Sequence, residues 1–316
     1  MIQTVFLPGD CRAVLKTLRA ESVHCCVTSP PYWGLRNYGA ARQIGLEETV
    51  EDYTAALVDV FTEVARVLRG DGTLWLNLGD TYTASGRGGD TGTSGLQGNT
   101  AWQDQSKRAG NRLGNKSSFR RDRQSFRSVA HKSAGVLLPK NLIGIPWRVA
   151  FALQAAGWIL RSDIIWHKSN AMPESVTDRP TKAHEYLFLL TRSQRYFYDA
   201  EAIKEPVSGT AHPRGDGVST RNKRDVWTVQ TYPYDEAHFA TFPPALIRPC
   251  ILAGCPVGGT VLDPFGGSGT TGMVALETGR HGILIELNPH YLDMARRRCN
   301  VTPGLPLRHE MKGHLE

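Results

Sequence analysis

Short apolar runs stopped by Gly, Pro or Asp alternate along the chain with stretches in which apolar side chains recur every three or four positions. The first kind predicts buried strands and the second amphipathic helices. Val5 to Leu7 reads as a strand ending at Gly9-Asp10, and Val14, Leu15 and Leu18 mark a helix behind it. Residues 22–28 form the next strand. A helix is predicted over 51–69, with Tyr53, Leu57, Val60, Phe61, Val64 and Leu68 on one face and Gly70 beyond its end. Thr73 to Leu78 is a strand closing at Gly79-Asp80. From Thr81 to about Gly135 the periodicity disappears. It returns at Leu137, with a helix over 146–156 that carries Pro146 in its first turn and stops at Gly157. Trp158 to Trp166 and 185–191 are strands, and Tyr196-Phe197-Tyr198 is read as the hairpin partner of the second. Residues 204–235 are polar and turn-rich. His238 to Pro244 introduces a helix running to about Ala253.

The last unit is the most regular. Thr260 to Leu262 is a strand, Asp263 to Gly272 a glycine-rich turn entering a helix, and Gly282 to Ile285 a strand ending in Glu286. This βαβ unit contains a literal GxGxxG at Gly267, Gly269 and Gly272, with an acidic residue 17 positions after Gly269. Glycine lets the backbone approach a ligand, a helix N-terminus offers amides to a carboxylate or phosphate, and the acid can hold a ribose diol. The unit predicts a nucleotide-like cofactor. By itself it does not separate a dinucleotide from S-adenosylmethionine, which also has a ribose and a carboxylate.

A second turn carries different chemistry. Thr28-Ser29-Pro30-Pro31-Tyr32 follows the strand over 22–28. Two successive prolines stop the sheet, because proline fixes φ and has no amide proton, and Ser29 is held extended before Pro30. The result is a stiff turn that offers a hydroxyl, the Pro30 carbonyl and an aromatic face at a strand's carboxyl end, where open α/β sheets bind ligands. An exocyclic amine on a base is a poor nucleophile, its lone pair being delocalised into the ring. Ser29 and the Pro30 carbonyl can accept its protons and draw it toward tetrahedral geometry, while Tyr32 stacks on the ring.

Composition narrows the picture. The 316 residues suffice for a sizeable core, and no apolar run approaches the roughly 18 residues of a membrane span. The N-terminus lacks a signal peptide's basic start and cleavage site, so a cytoplasmic protein is expected. The six cysteines show no CxxC pair and no zinc spacing, which predicts buried free thiols in a reducing compartment and no metal. Residues 82–135 hold ten Lys or Arg against three Asp, which is the whole formal excess of +7. Charge concentrated in this way points to a polyanion met locally.

TSPPY, then HFATFP, DPFGGSGTT and ELNPHY, together with the GDC opening at Gly9-Asp10-Cys11 and the stretch from MPES through DRPT to HEYLFLLT, resemble the β class of amino-group DNA methyltransferases. In that class the catalytic motif precedes the cofactor motif. The resemblance spans most of residues 1–80 and 137–300. It implies a Rossmann-like methyltransferase sheet, mostly parallel with an antiparallel hairpin strand, in circularly permuted motif order and with a flexible basic insertion. The implied divisions are a catalytic half over 1–81 and 136–199, the insertion at 82–135, a target-recognition segment at 200–236, a cofactor half at 237–300 and a tail at 301–316.

The resemblance also assigns roles. Ser29, Pro30, Pro31 and Tyr32 would form the catalytic turn. Gly267, Gly269 and Thr270 would cradle the methionine end of S-adenosylmethionine, with Asp263 and Phe265 in the same turn. Glu286 would hold the ribose, Asp10 the adenine amine, and Phe239 would pack near the cofactor. Lys168, Asn170, His184 and Glu185 would line a flipped-base pocket. Arg179 and Lys182, with Arg120, Arg121 and Arg123 of the insertion, would contact double-stranded DNA. A cognate restriction endonuclease and a homodimer stay open as partners, and no membrane is implied.

In this family SPPY usually accompanies cytosine N4 methylation and DPPY adenine N6 methylation, so cytosine N4 is expected, with adenine N6 as the alternative. Three rivals fit the chain less well. A nicotinamide dehydrogenase would use the GxGxxG but leave SPPY and the basic segment without a task. A cytosine C5 methyltransferase needs a Pro-Cys nucleophile, and Pro249-Cys250 lies in an apolar helical run. A catalytically silent DNA-binding module would not need an intact SPPY and glycine turn.

Overall fold

The computed structural model describes residues 2–34, 43–83, 137–207, 220–231 and 242–300. The predicted insertion at 82–135, the HFATF stretch around Phe239 and the tail at 301–316 lie almost wholly outside them.

An eight-stranded sheet organises these residues. Strand β1 (Thr4–Pro8) leads into helix α1 (Cys11–Thr17), which Asp10 caps by accepting the Arg12 amide at 2.9 Å. Strand β2 (Val23–Thr28), helix α2 (Val50–Val67) and strand β3 (Leu68–Leu78) follow. Helix α3 (Ile145–Ala155), strand β4 (Ile159–His167) and strand β5 (His184–Thr191) complete the N-terminal half. A minor hairpin, β6 (Glu205–Pro206) with β7 (Thr220–Arg221), precedes β8 (Val226–Thr228). Then come α4 (Pro244–Gly254), β9 (Thr260–Asp263), α5 (Thr270–Glu277), β10 (His281–Glu286) and α6 (Pro289–Asn300).

Across the sheet the strand order is β1, β10, β9, β2, β3, β5, β4, β8. The C-terminal strands β9 and β10 are therefore inserted between β1 and β2. From β1 to β3 every neighbour is parallel, and β5 runs antiparallel to both β3 and β4. Apolar side chains cover both faces, as a mostly parallel sheet requires. One layer packs Leu15, Tyr53, Leu57, Phe61, Leu74, Leu76 and Phe188 under α1, α2 and α3, and the other packs Val27, Trp75, Leu187, Ile247 and Ile251 under α4 and α5.

Three sequence expectations change. Gly70 does not stop a helix: α2 ends at Val67, Leu68 turns to φ −68°, ψ 141°, and β3 starts there, with Leu68 pairing Val23. The Arg66 guanidinium donates to the Leu15 and Leu18 carbonyls at 2.7 and 2.9 Å, and these tertiary bonds fix the exit where local pattern pointed two residues on. Tyr196-Phe197-Tyr198 is not the hairpin partner of β5, whose two edges are filled by β3 and β4. That segment has no regular secondary structure, and the Phe197 amide donates to the Asp71 carbonyl at 2.9 Å. Residues 226–228, read only as part of a polar and turn-rich stretch, extend the sheet as β8, parallel to β4.

Candidate active site

Strands β2 and β9 are adjacent and parallel, with Cys26 opposite Leu262, so the turns that follow them leave the same sheet edge. The chain runs outward from this pair in both directions, through β3 on one side and β10 on the other, which makes it the topological switch point. A buried hydrogen bond locks the two turns together. Thr28 Oγ1, one residue before Ser29, donates to Asp263 Oδ1 at 2.6 Å, and Thr271 Oγ1 donates to Asp263 Oδ2 at 2.6 Å. The Phe265 amide adds a bond to Oδ1 at 3.0 Å. Asp263 is 1% exposed and turns its carboxylate inward, and burial pushes its pKa up to about 6 against these three donors.

The proline turn is anchored from behind. Tyr53 of α2 donates to the Pro31 carbonyl at 2.9 Å, while Gly45 sits so close that a Cβ would lie 3.1 Å from the Tyr32 carbonyl. Pro30 is buried, and no described residue donates to its carbonyl. Ser29 Oγ is 3.3 Å from Tyr32 Oη and donates to it. Tyr32 Oη in turn donates to Glu185 Oε2 at 2.7 Å, and Asn77 Oδ1 lies 3.2 Å away. Asn77 Nδ2 donates to Glu185 Oε2 at 3.2 Å and to the Tyr186 carbonyl at 3.0 Å. Lys168 pairs with Glu185 Oε1, its ammonium 4.4 Å from the centre of the Trp166 ring. Burial pushes the Glu185 carboxyl up, but the Lys168 charge and the bonds from Lys168, Tyr32 and Asn77 outweigh it and hold the pKa below the usual range. Burial and the Glu185 charge raise the Tyr32 phenol well above its ordinary value, so it keeps its proton.

The glycine turn is built from backbone. Gly267 and Gly269 adopt φ +49° and +84°, values that glycine takes without steric cost. A Cβ on Gly269 would meet Ala295 of α6 at 2.8 Å, whereas one on Gly267 would meet only the Phe265 carbonyl, at 3.8 Å. Glu286 at the end of β10 accepts the Gly267 amide at 2.8 Å and the Asn288 amide at 2.7 Å, one on each oxygen, and burial raises its pKa. Arg298 donates to Ser268 Oγ at 3.0 Å and Thr270 Oγ1 at 2.8 Å, so the Thr270 side chain is tied into the turn. Phe265 is half-buried beside it. The first-turn amides of α5 have no intrahelical acceptor. The turn therefore offers helix-start amides and a carboxylate with spare lone pairs, the groups that a carboxylate and a ribose diol would need.

The remaining expected site residues are distributed as follows. Asp10 follows β1, the neighbour of β10; it caps α1, pairs with Arg12 at 2.5 Å and borders an open groove with Lys16 and Glu47. Asn170 clamps Thr231 through three hydrogen bonds of 2.8, 3.0 and 3.2 Å. His184 lies on the opposite face of β5 from Glu185, edge-on to Tyr186. Arg179 pairs with Glu174 at 2.5 Å and stacks on Tyr82, while Lys182 Nζ donates to the Asp80 carbonyl at 2.9 Å. Both cations thus point into the protein. Phe239, Arg120, Arg121 and Arg123 lie outside the described residues. Cys250 is fully buried within α4, its thiol 3.6 Å from the Leu246 carbonyl, and burial raises its pKa well above the ordinary thiol value. That geometry denies it the nucleophile's part in a C5 mechanism. Sequence reasoning missed Thr28, Thr271 and Asn77. The signal for Asn77 was a lone amide in the apolar strand Thr73–Leu78.

Fold and site together define a cofactor-dependent transferase: a nucleotide-type glycine turn beside a turn able to seat an amine. The family profile described as DNA methylase matches residues 23–297. The chain belongs to this N6/N4 family of amino-group DNA methyltransferases and is S-adenosylmethionine-dependent. It is 48% identical over 292 residues to the Type II methyltransferase M.SmaI of Serratia marcescens, covering 92% of this chain and 88% of that enzyme. With M.Cfr9I of Citrobacter freundii it shares 49% over 290 residues, 92% of this chain and 85% of the relative. The fold resembles the PvuII cytosine-N4-specific DNA methyltransferase at a TM-score of 0.64, with 17% identity, covering 96% of this chain and 88% of that one. It also resembles the M1.HpyAVI–SAM complex at 0.52, with 17% identity over 95% of this chain and 100% of that one. Among the described residues no helix is long and apolar enough to cross a membrane, and no cluster of His, Cys, Asp and Glu could hold a metal.

Proposed function

We propose that the protein is a Type II methyltransferase that methylates the exocyclic N4 amine of cytosine in duplex DNA. The observation that carries this reading is the serine–proline acceptor pair at the switch point, tied through Thr28 and Asp263 to the cofactor turn. The α5 amides, Gly267 and Thr270 would hold the methionine end of the cofactor, Glu286 its ribose, and the region of Asp10 and Phe239 its adenine. When bound, S-adenosylmethionine supplies a methyl group activated on a sulfonium.

The target base leaves the helix stack, at a cost of a few kcal/mol that DNA contacts offset. Ser29 Oγ and the Pro30 carbonyl each accept one N–H of the amine. Both bonds pull the nitrogen toward tetrahedral geometry and free its lone pair to face the cofactor turn. The nitrogen would gain the methyl group as the sulfonium S–C bond breaks to leave a neutral thioether, and it would release one proton to solvent. Lys168 and Glu185 border the base pocket, and residues 82–135 supply the cationic contact with phosphates. Residues 200–236 share in reading the target sequence, and a cognate restriction endonuclease completes the pair that Type II relatives suggest.

Cytosine N4 is preferred over adenine N6 because the acceptor is a neutral serine, as in the SPPY pattern. Nucleoside mass spectrometry of DNA methylated by the purified protein decides. N4-methylcytosine is expected; N6-methyladenine would overturn the choice of base, and no transfer at all would overturn the activity.

A further inference from the structure

Ser29 is ambiguous as an acceptor. A free serine hydroxyl can accept from an amine or donate to a ring nitrogen, and in cytosine the N4 amine adjoins the N3 acceptor. A hydroxyl that donated to N3 would present its proton where its lone pair is needed. We propose that Tyr32, oriented by Glu185, Lys168 and Asn77, accepts the hydrogen bond of the Ser29 hydroxyl, whose proton stays on Ser29, and so turns the serine's lone pairs toward the target amine. The inference rests on the amine-methylation reading and adds positioning residues to it.

The geometry fixes each proton in turn. Asn77 Nδ2 has two carbonyl-type acceptors, Glu185 Oε2 and the Tyr186 carbonyl, so its amide cannot be turned round without setting Oδ1 against oxygen. Tyr32 has a single proton and three oxygens within 3.3 Å, those of Glu185, Asn77 and Ser29. It goes to Glu185 at 2.7 Å rather than to Asn77 Oδ1 at 3.2 Å, because the first bond is shorter and charge-assisted. Lys168 on the other carboxylate oxygen keeps Glu185 ionised, and so acceptor-only, in a site where the pair is almost wholly buried, at 14% and 5% exposure. The phenol oxygen then has only lone pairs left for Ser29, whose hydroxyl donates to it at 3.3 Å. The free lone pairs of Ser29 Oγ remain for the amine, beside the Pro30 carbonyl. A neutral serine thereby behaves as an aspartate would at the same place, without bringing a second buried negative charge near Glu185.

The test compares Tyr32→Phe with and without the hydroxyl it directs. Single-turnover methyl transfer from tritiated S-adenosylmethionine to duplex substrate is measured for the wild type, Tyr32→Phe, Ser29→Ala and the double variant, alongside cofactor affinity. Tyr32→Phe should slow transfer by about tenfold or more, the effect of one hydrogen bond at the reacting group, with cofactor affinity within about twofold. The double variant should be no slower than Ser29→Ala, since no proton is left to direct. If Ser29→Ala is too slow to follow, Ser29→Asp provides the comparison, because a carboxylate accepts whether or not Tyr32 has its hydroxyl. A Tyr32→Phe variant as fast as the wild type, or a Tyr32→Phe change that repeats its full loss in the Ser29→Ala or Ser29→Asp background, overturns the proposal. Absence of transfer by the wild type would instead reject the functional reading, so the two failures are distinguishable.

Discussion

The two turns at the sheet edge solve opposite problems. After β2 the chain is stiffened by Pro30 and Pro31, and its chemistry resides in side chains: a hydroxyl, a phenol, and behind them a buried Lys–Glu pair. After β9 the chain is loosened by glycine, and its chemistry resides in the backbone, with Gly267 and Gly269 at positive φ. On the proposed function the difference follows from the task. A weak nucleophile needs acceptors aimed at one nitrogen, which rigid side chains provide, whereas a flexible cofactor tail needs close approach to amides, which only a turn without Cβ atoms permits. Damage to the first turn should therefore appear in the rate of transfer, and damage to the second in cofactor affinity and stability.

Ser29→Ala gives the sharpest contrast. It should lower transfer by about 10²- to 10³-fold, the scale of losing one hydrogen-bonding group at a reacting centre, with cofactor affinity unchanged. Unaltered turnover in the same tritium assay would remove Ser29 from the mechanism. Gly269→Ala should do the reverse. Its Cβ would meet Ala295 at 2.8 Å in a backbone held at φ +84°, so a stability loss of about 2–4 kcal/mol and weaker cofactor binding are expected in chemical denaturation and equilibrium dialysis. A variant as stable as the parent would show that α6 yields easily.

Asp263 joins the two regions, and its effect is set by pH. Its pKa is raised from 3.8 to about 6, so the fold prefers it protonated. The stability that this proton contributes is fully present below about pH 4 and is lost as pH rises through about 6. The shift corresponds to at most about 3 kcal/mol. Urea midpoints of Asp263→Asn against the parent should diverge over that window in favour of the variant; parallel curves would contradict the assignment. The smallest effect concerns neither turn directly. Deleting residues 84–134 should weaken DNA binding and flatten its salt dependence by roughly 0.9 in log–log slope for each phosphate no longer neutralised, leaving cofactor affinity intact. An unchanged slope would make the segment a spacer.

Both turns were legible in the sequence because their causes are local. Consecutive prolines end a strand, and glycines at GxGxxG spacing open a helix, wherever they occur. The pairing that brings them together was not local. The bond from Thr28 to Asp263 spans 235 positions, and those from Glu185 to Tyr32 and Asn77 span 153 and 108, so no window of sequence contains them. The same limit explains the misplaced partner of β5. Hydrophobic alternation marks a strand but does not say which neighbour satisfies its edges, and Tyr196-Phe197-Tyr198 had the pattern without the place. At three residues, β8 was too short to show a period. Lys182, read as a DNA-binding cation, donates to the Asp80 carbonyl, which lies 102 positions away.

A crystal structure with duplex DNA and a non-reactive S-adenosylmethionine analogue probes the convergence of the two turns most directly. The extruded amine should lie within hydrogen-bond reach of Ser29 Oγ and the Pro30 carbonyl, and about 3–3.5 Å from the atom standing in for the methyl carbon above Gly267. A cofactor bound away from the glycine turn, or a base seated without touching Ser29, would contradict it.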